Sequence, residues 1–302
     1  MDTTGLLDKD VQVTPPHDEI TKKLQSLLPA TPFRIKADRA RELADELAIS
    51  VPQLMMELVP IARSYNVYVP ISNYIVGSCS MGLSGDLYLG MNLEFARQPL
   101  GQTVHSEQFT TSNATVHGEK GLRALAVSAE PCGHCRQFLN EIQNGKDIAI
   151  FIPDKAPVAL SHLLPRDFGP HDLGIDAGLM ASRCAPLQMD KIPGELVELA
   201  LAAANNSYAP YSNSPSGIAI RLESGRTFQG WYAENAAFNP TLPPLQMAII
   251  AAIAGGENPK DIVELALVET ASGAVTQEWN TKALLQAVAP EASCSIYYAK
   301  QA

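Results

Sequence analysis

Hydrophobic and polar positions along this chain follow two periods, one helical and one of simple alternation. Asp38-Arg-Ala-Arg-Glu-Leu-Ala-Asp-Glu-Leu47 has helical spacing and a charged outer face, so residues 1–50 read as a small N-terminal helical region behind an acidic, uneventful tail. A further helix is predicted from Pro52 to Ser64. Strands are predicted near Tyr74 to Met81 and, by alternation, over Asp86 to Phe95. The apolar run Leu122-Arg-Ala-Leu-Ala-Val-Ser128 predicts a buried strand, and Asp147 to Ile152 another. Helices are predicted over Thr103–Thr115 and Cys132–Ile142, with Pro131 at the entry of the second. Helices alternating with strands predict a layered α/β domain over residues 51–153. Residues 154–193 are rich in proline, aspartate and glycine, show no strong period and read as a linker.

Composition narrows the classes of function. A chain of 302 residues, 46% hydrophobic and 18% charged, is long enough for two domains with substantial cores. No signal peptide and no apolar run of membrane-spanning length is expected. The net charge of −10, with no cluster of lysine and arginine, argues against a nucleic-acid partner, whose phosphates call for a basic face. The five cysteines, Cys79, Cys132, Cys135, Cys184 and Cys294, form no disulfide pattern and favour a reducing cytoplasm.

Two short segments carry the chemistry. His105-Ser-Glu107 is followed by Pro131-Cys132-Gly-His-Cys135. Zinc takes imidazole and thiolate readily, and structural sites usually close with four protein ligands. Here His105, Cys132 and Cys135 supply three, which leaves a fourth position for water. Bound Zn²⁺ lowers the pKa of water from about 15.7 to about 7, so hydroxide becomes available at neutral pH. Glu107, the one carboxylate inside the motif, is positioned by sequence to move protons to and from that water. Cys132 and Cys135, three apart, share one face of a helical turn, and a helix N-terminus favours their thiolate forms. Alone, a C-x-x-C is also a redox pair or half of a structural zinc site. A structural zinc with Glu107 or His134 as fourth ligand is the plainer alternative. His134 is expected to point away from the cysteines, and His117 lies beyond the first helix; both read as groups outside the ligand set.

At these residues the chain resembles cytidine deaminase, in its long, two-domain homodimeric form; H-x-E…P-C-x-x-C is the general signature of zinc nucleobase deaminases. The likeness extends to Ile71-Ser-Asn-Tyr-Ile-Val-Gly77, Gly90-Met-Asn92-Leu-Glu94-Phe, Gln102-Thr-Val-His-Ser-Glu-Gln108 and Leu163-Leu-Pro-Arg-Asp-Phe-Gly-Pro170, and covers roughly residues 50 to 302. The resemblance implies a three-layer α/β/α fold and one Zn²⁺ per chain. It implies hydrolytic deamination of cytidine and 2′-deoxycytidine at C4, in pyrimidine salvage, with Glu107 as proton shuttle. It implies that Asn92 and Glu94 bind the ribose, chiefly its 3′-hydroxyl. It also implies that Tyr74 packs near the pyrimidine, that the Ser106 backbone N–H meets the pyrimidine O2, that the Glu130 carbonyl receives the amino group, and that Phe168 helps close the pocket. Ser106 stands where the family normally has alanine, and Tyr74 where it usually has phenylalanine. On their own spacing, Asn92 and Glu94 read first as solvent-facing residues of a strand, and it is the resemblance that turns them toward a sugar.

Residues 194–302 read as an eroded repeat of the catalytic domain. Ser207-Tyr-Ala-Pro-Tyr-Ser-Asn213 parallels Ser64 to Asn73, and Gly230-Trp-Tyr-Ala-Glu234 parallels Gly90 to Glu94. Counting onward in this register sets Leu245-Gln-Met247 opposite His105-Ser-Glu107, and the strand predicted over Ile262–Glu269 is followed by no Pro-Cys-x-x-Cys. The second copy therefore lacks a zinc set. The resemblance implies a homodimer in which this copy completes the partner's active site, with a small nucleoside as ligand and neither nucleic acid nor membrane as partner.

Overall fold

The structure, a computed structural model, describes residues 4–7, 11, 13–181 and 186–301. Two compact units emerge. One runs to Glu94 and resumes from Thr103 to Ala181; the other takes Phe95–Gln102 and the chain beyond Ala181. In the first unit the elements are α1 (Asp18–Leu27), β1 (Arg34–Ile35), α2 (Ala37–Leu47), α3 (Val51–Ser64), β2 (Gly77–Gly82), β3 (Leu87–Met91), α4 (Ser106–Val116), β4 (Leu122–Val127), α5 (Gly133–Asn140), β5 (Ala149–Phe151), β6 (Val158–Ala159) and α6 (Leu160–Leu163). Its six strands lie in the order β1-β3-β2-β4-β5-β6, all antiparallel except the β4–β5 pair.

Glycines reveal how the helices flank this sheet. Ser78 of β2 pairs with Gly90 of β3. A Cβ at Gly90 would meet the Ser106 carbonyl and the Thr110 amide of α4, both at 2.7 Å. A Cβ at neighbouring Gly77 would instead meet the Val59 carbonyl of α3 at 2.6 Å. Successive strand residues face opposite ways, so α3 and α4 cover opposite faces, giving three layers. Both helices approach the sheet closely enough that only glycine fits.

The second unit repeats the plan with β7 (Leu187–Gln188), α7 (Glu195–Asn205), β8 (Ser216–Leu222), β9 (Thr227–Trp231), α8 (Pro244–Ala254), β10 (Ile262–Thr270), α9 (Glu278–Val288) and β11 (Ser293–Gln301). Its strand order is β7-β11-β10-β8-β9. Gly217 and Gly230 face α7 and α8 as Gly77 and Gly90 face α3 and α4. The fold is therefore α/β, three-layered and duplicated.

Several boundaries differ from the sequence reading. The N-terminal stretch is not uneventful: α1 forms, and the wholly buried Glu57 of α3 anchors its start. That carboxylate accepts from the His17 amide (3.1 and 3.0 Å), the Thr21 hydroxyl (2.7 Å) and the Gln53 side chain (2.9 Å). The two strands predicted over Tyr74–Met81 and Asp86–Phe95 shorten to Gly77–Gly82 and Leu87–Met91, because their outer ends bend into the loops that line the cleft. Within 154–193, β6 pairs with β5 and α6 follows directly; the residues around Cys184 lie outside those described.

The repeat register also needs correction. His105 and Pro243 are the N-caps of α4 and α8, with nearly the same backbone angles (φ −81, ψ 155 against φ −68, ψ 155). The position of His105 is therefore taken by Pro243 and that of Glu107 by Leu245, two residues earlier than simple counting gives. The connection from Glu94 to His105 is two residues longer than its counterpart from Glu234 to Pro243, and a shortened loop is invisible to a fixed offset.

Candidate active site

Two helix starts create the site. His105 is not inside the first turn of α4, as the spacing suggested, but caps it in extended conformation, and Cys132 caps α5 in the same way. The Gln108 side chain accepts from the His105 amide at 3.1 Å and so fixes the cap. Cys135 lies in the first turn of α5, on the face shared with Cys132. Both helix N-termini direct their partial positive charge toward the three donors, which favours thiolate.

Their geometry suits zinc. The two sulfurs are 3.5 Å apart, and the His105 Nδ1 lies 3.6 Å from Cys132 Sγ and 3.2 Å from Cys135 Sγ. A tetrahedral ion with ordinary Zn–S and Zn–N bonds would place its ligands about 3.8 Å (S···S) and about 3.6 Å (S···N) apart. Among the described residues, the group closes on three donors; Glu107 and His134 do not join it. The His134 ring instead packs beside that of His105, centroids 4.9 Å apart. His117 is away from the cleft, its Nδ1 2.7 Å from the Asn113 carbonyl. The Cys132 thiol is pushed down to about 3 by hydrogen bonds with Cys135 and His105. The same Cys132 contact, with burial, pushes Cys135 up. These opposite directions describe one negative charge shared by the pair and carried on the more exposed sulfur.

Glu107 is only 4% exposed. Burial raises its carboxyl pKa, against the lowering effect of hydrogen bonds from its own backbone and Cys135. A carboxyl group held above its usual range is suited to exchanging protons near neutral pH.

A cleft of about 310 Å³ opens over these groups. It is lined by Asn92, Glu94, Tyr74, Ser106 and Glu130 as well as by the three donors and Glu107. The Asn92 amide is held on every side but one. Its Oδ1 accepts from Asn66 Nδ2 and the Val76 amide, both at 2.9 Å, and its Nδ2 donates to the Tyr74 carbonyl at 2.9 Å. Glu94 Oε2 accepts from the Ile71 and Ser72 amides at 2.8 and 2.9 Å, and its Oε1 from the Ser72 hydroxyl. Burial works to raise the Glu94 pKa, but these bonds outweigh it and hold the carboxylate ionised. Tyr74 is 62% exposed at the rim.

Ser106 turns its hydroxyl away from the cleft. It donates to Ser78 Oγ at 2.7 Å, while Ser78 donates to the Ser106 carbonyl at 2.9 Å. The added hydroxyl is thus absorbed by the sheet, and the start of α4 is fixed to β2. The Glu130 carboxylate pairs outward, with Lys155 and with Arg136 at 3.5 Å. Phe168 does not line the cleft. It is 47% exposed, and its carbonyl accepts from Gln137 Nε2 at 2.7 Å. Ser72, Val104 and Ala129 also line the cleft. Sequence reasoning passed over them, although the recurrence of Ser72 as Ser212 in the repeat was an available signal.

Comparison with known proteins agrees with this chemistry. The family described as cytidine and deoxycytidylate deaminase zinc-binding region matches the chain twice, over residues 50–151 and 160–282. A cytidine deaminase from Vibrio parahaemolyticus is 41% identical over 276 residues, 91% of this chain and 93% of its own length. Those of Vibrio cholerae (43% over 258 residues, 84% and 86%) and Proteus mirabilis (45% over 257 residues, 85% and 87%) are similar.

Proposed function

The chain belongs to the cytidine deaminase family, and from that premise we propose that the cleft of the first unit binds a nucleoside through its sugar and deaminates it with Glu107 as the proton carrier. The reaction is hydrolytic deamination of cytidine, and the cofactor is zinc. We assign one ion per chain to His105, Cys132 and Cys135. Bound there, zinc supplies a water acidic enough to be a nucleophile near neutral pH. Glu107 takes a proton from the attacking water and passes it to the ring N3; it then takes the proton of the new C4 hydroxyl and gives it to the amine as the C4–N bond breaks. Water adds and ammonia leaves, so cytidine becomes uridine. The Ser106 backbone N–H and the Glu130 carbonyl orient the pyrimidine, and Tyr74 flanks it.

The observation that carries the sugar assignment is the held pair Asn92 and Glu94, two residues apart on one wall of the cleft. Their loop contacts leave an Asn92 N–H and Oε1 lone pairs for a hydroxyl. An ionised Glu94 favours a nucleoside over a nucleotide, whose phosphate it would repel. Binding through the 3′-hydroxyl leaves the 2′ position unread, so 2′-deoxycytidine is a substrate too. Wild-type enzyme is expected to use cytidine far better than 3′-deoxycytidine, because a site built around a hydroxyl rejects the analogue that lacks it. Asn92→Ala and Glu94→Ala should each erode this preference with zinc content intact. Equal efficiency of wild type on both nucleosides would remove the pair from the sugar site.

We further read the protein as a homodimer of the reducing cytoplasm, acting in pyrimidine salvage. Among the described residues no helix is long and apolar enough to cross a membrane, and the free cysteine pair Cys132 and Cys135 suits a reducing compartment. Phe238, 67% exposed at the end of the Trp231–Phe238 segment, is an aromatic group of the kind that anchors interfaces. Isologous dimers are the commonest assembly. Light scattering should give twice the chain mass, and Phe238→Asp should shift the population toward single chains. A wild-type monomer at micromolar concentration would overturn this assignment.

A further inference from the structure

We infer that Ser72 is a positioning residue for nucleoside selection, its hydroxyl fixing the direction in which Glu94 presents its free oxygen to the sugar. This rests on the sugar assignment of Asn92 and Glu94 above. A serine hydroxyl has one proton and two acceptor positions. At Ser72 the proton goes to Glu94 Oε1, and the Tyr74 amide donates to Ser72 Oγ at 3.0 Å. The side chain therefore cannot change rotamer without losing both contacts. The Ser72 and Ile71 amides hold Oε2, while Oε1, the oxygen left to meet a ligand, is restrained among the described residues by the Ser72 hydroxyl. Asn73, in the left-handed region at φ 55, produces the bend that sets Ser72 and Tyr74 on either side of this contact. Ser72 also lines the cleft, beside Tyr74, Asn92 and Glu94.

The zinc-less copy contains the same clasp. Glu234 Oε2 accepts from the Tyr211 and Ser212 amides at 2.8 and 3.2 Å, its Oε1 accepts from the Ser212 hydroxyl, and the Ser214 amide donates to Ser212 Oγ at 3.2 Å. Asn213 repeats the left-handed bend at φ 51. The position of Asn92 is taken by Tyr232, so the second copy has the held carboxylate without its amide partner. The clasp thus folds the loop in both copies, and in the first copy alone it is paired with Asn92 to read a hydroxyl. The two copies separate the folding share of the serine from its share in recognition.

Ser72→Ala, Ser72→Thr and Ser212→Ala, each purified with zinc content measured, test this. Steady-state kinetics on cytidine and 3′-deoxycytidine give the discrimination ratio, and thermal unfolding gives the folding share. Ser72→Ala should raise KM for cytidine about tenfold with kcat little changed, leave KM for 3′-deoxycytidine nearly unaltered, and so lower the ratio about tenfold, the scale of one hydrogen bond. Ser72→Thr, which keeps the hydroxyl, should restore the ratio. Ser212→Ala gives the stability cost of losing the same clasp where no sugar is read, and Ser72→Ala should show a similar cost. A wild type that discriminates, with a Ser72→Ala ratio unchanged, would overturn the role of Ser72. A wild type that does not discriminate would overturn the sugar assignment on which it rests.

Discussion

Glu107→Gln is expected to abolish most cytidine deamination while leaving zinc in place. The amide keeps the size and most of the hydrogen-bonding shape of the carboxylate, so His105, Cys132 and Cys135 should hold the ion as before. What is lost is the ability to carry a proton. A single acid–base group contributes about 10²–10⁴-fold, and Glu107 serves every proton transfer of the turnover, so the loss should reach or exceed that range. The burial that raises the Glu107 pKa also shuts out other proton carriers, since the side chain is 4% exposed. Ammonia release measured at full zinc occupancy decides the matter. Turnover within a few-fold of wild type would take Glu107 out of the chemistry.

Removing the metal should have an effect of the same order or larger. Prolonged chelation is expected to eliminate activity, and stoichiometric Zn²⁺ to restore it, with one ion bound per chain by metal analysis. Cys132→Ser should bind zinc more weakly by more than the roughly 10–100-fold that loss of a group behind a ligand costs. Unfolding by heat should separate this from collapse of the fold, because the donors sit at helix ends and the sheet beneath them is closed by apolar residues such as Leu125, Ala126 and Val127, all fully buried. A Cys132→Ser protein that retains tight stoichiometric zinc would exclude the three-donor set.

Much of this was legible in the chain because chemistry was written in short segments. Three donors in H-x-E and P-C-x-x-C converge in space, and the strands at Leu122 and Ile262 follow from runs that are apolar but for Arg123 and Glu264. The start of α4 was harder. Its buried face carries Ser106, Thr110 and Asn113, which bond the sheet through Ser78, the Tyr88 carbonyl, and the Phe33 and Leu89 carbonyls. A helix buried by polar contacts has little amphipathic pattern, so its boundary cannot be drawn from hydropathy. Its counterpart α8, Pro244-Leu-Gln-Met-Ala-Ile-Ile-Ala-Ala-Ile-Ala254, is apolar nearly all round and equally featureless in period. The N-terminal α1 was legible too, since Ile20, Leu24 and Leu27 recur at helical spacing behind Asp18 and Glu19; what the sequence hides is its anchor Glu57, 36 to 40 residues away. The loop clasps at Ser72 and Ser212 likewise depend on a bend that sequence does not announce.

The shortened connection before α8 bears on whether the second copy could ever regain a catalytic centre. Substituting histidine for Pro243 and glutamate for Leu245 would restore two side-chain identities on a helix that already starts at the right residue. The span from Glu234 to that helix would still be two residues too short to follow the path taken between Glu94 and His105. Between Thr270 and Glu278, moreover, the chain holds no cysteine. Reversion therefore requires an insertion and a rebuilt turn as well as several substitutions, none of which helps alone. Point mutation cannot walk this copy back, and its divergence from an enzyme is in practice one-way.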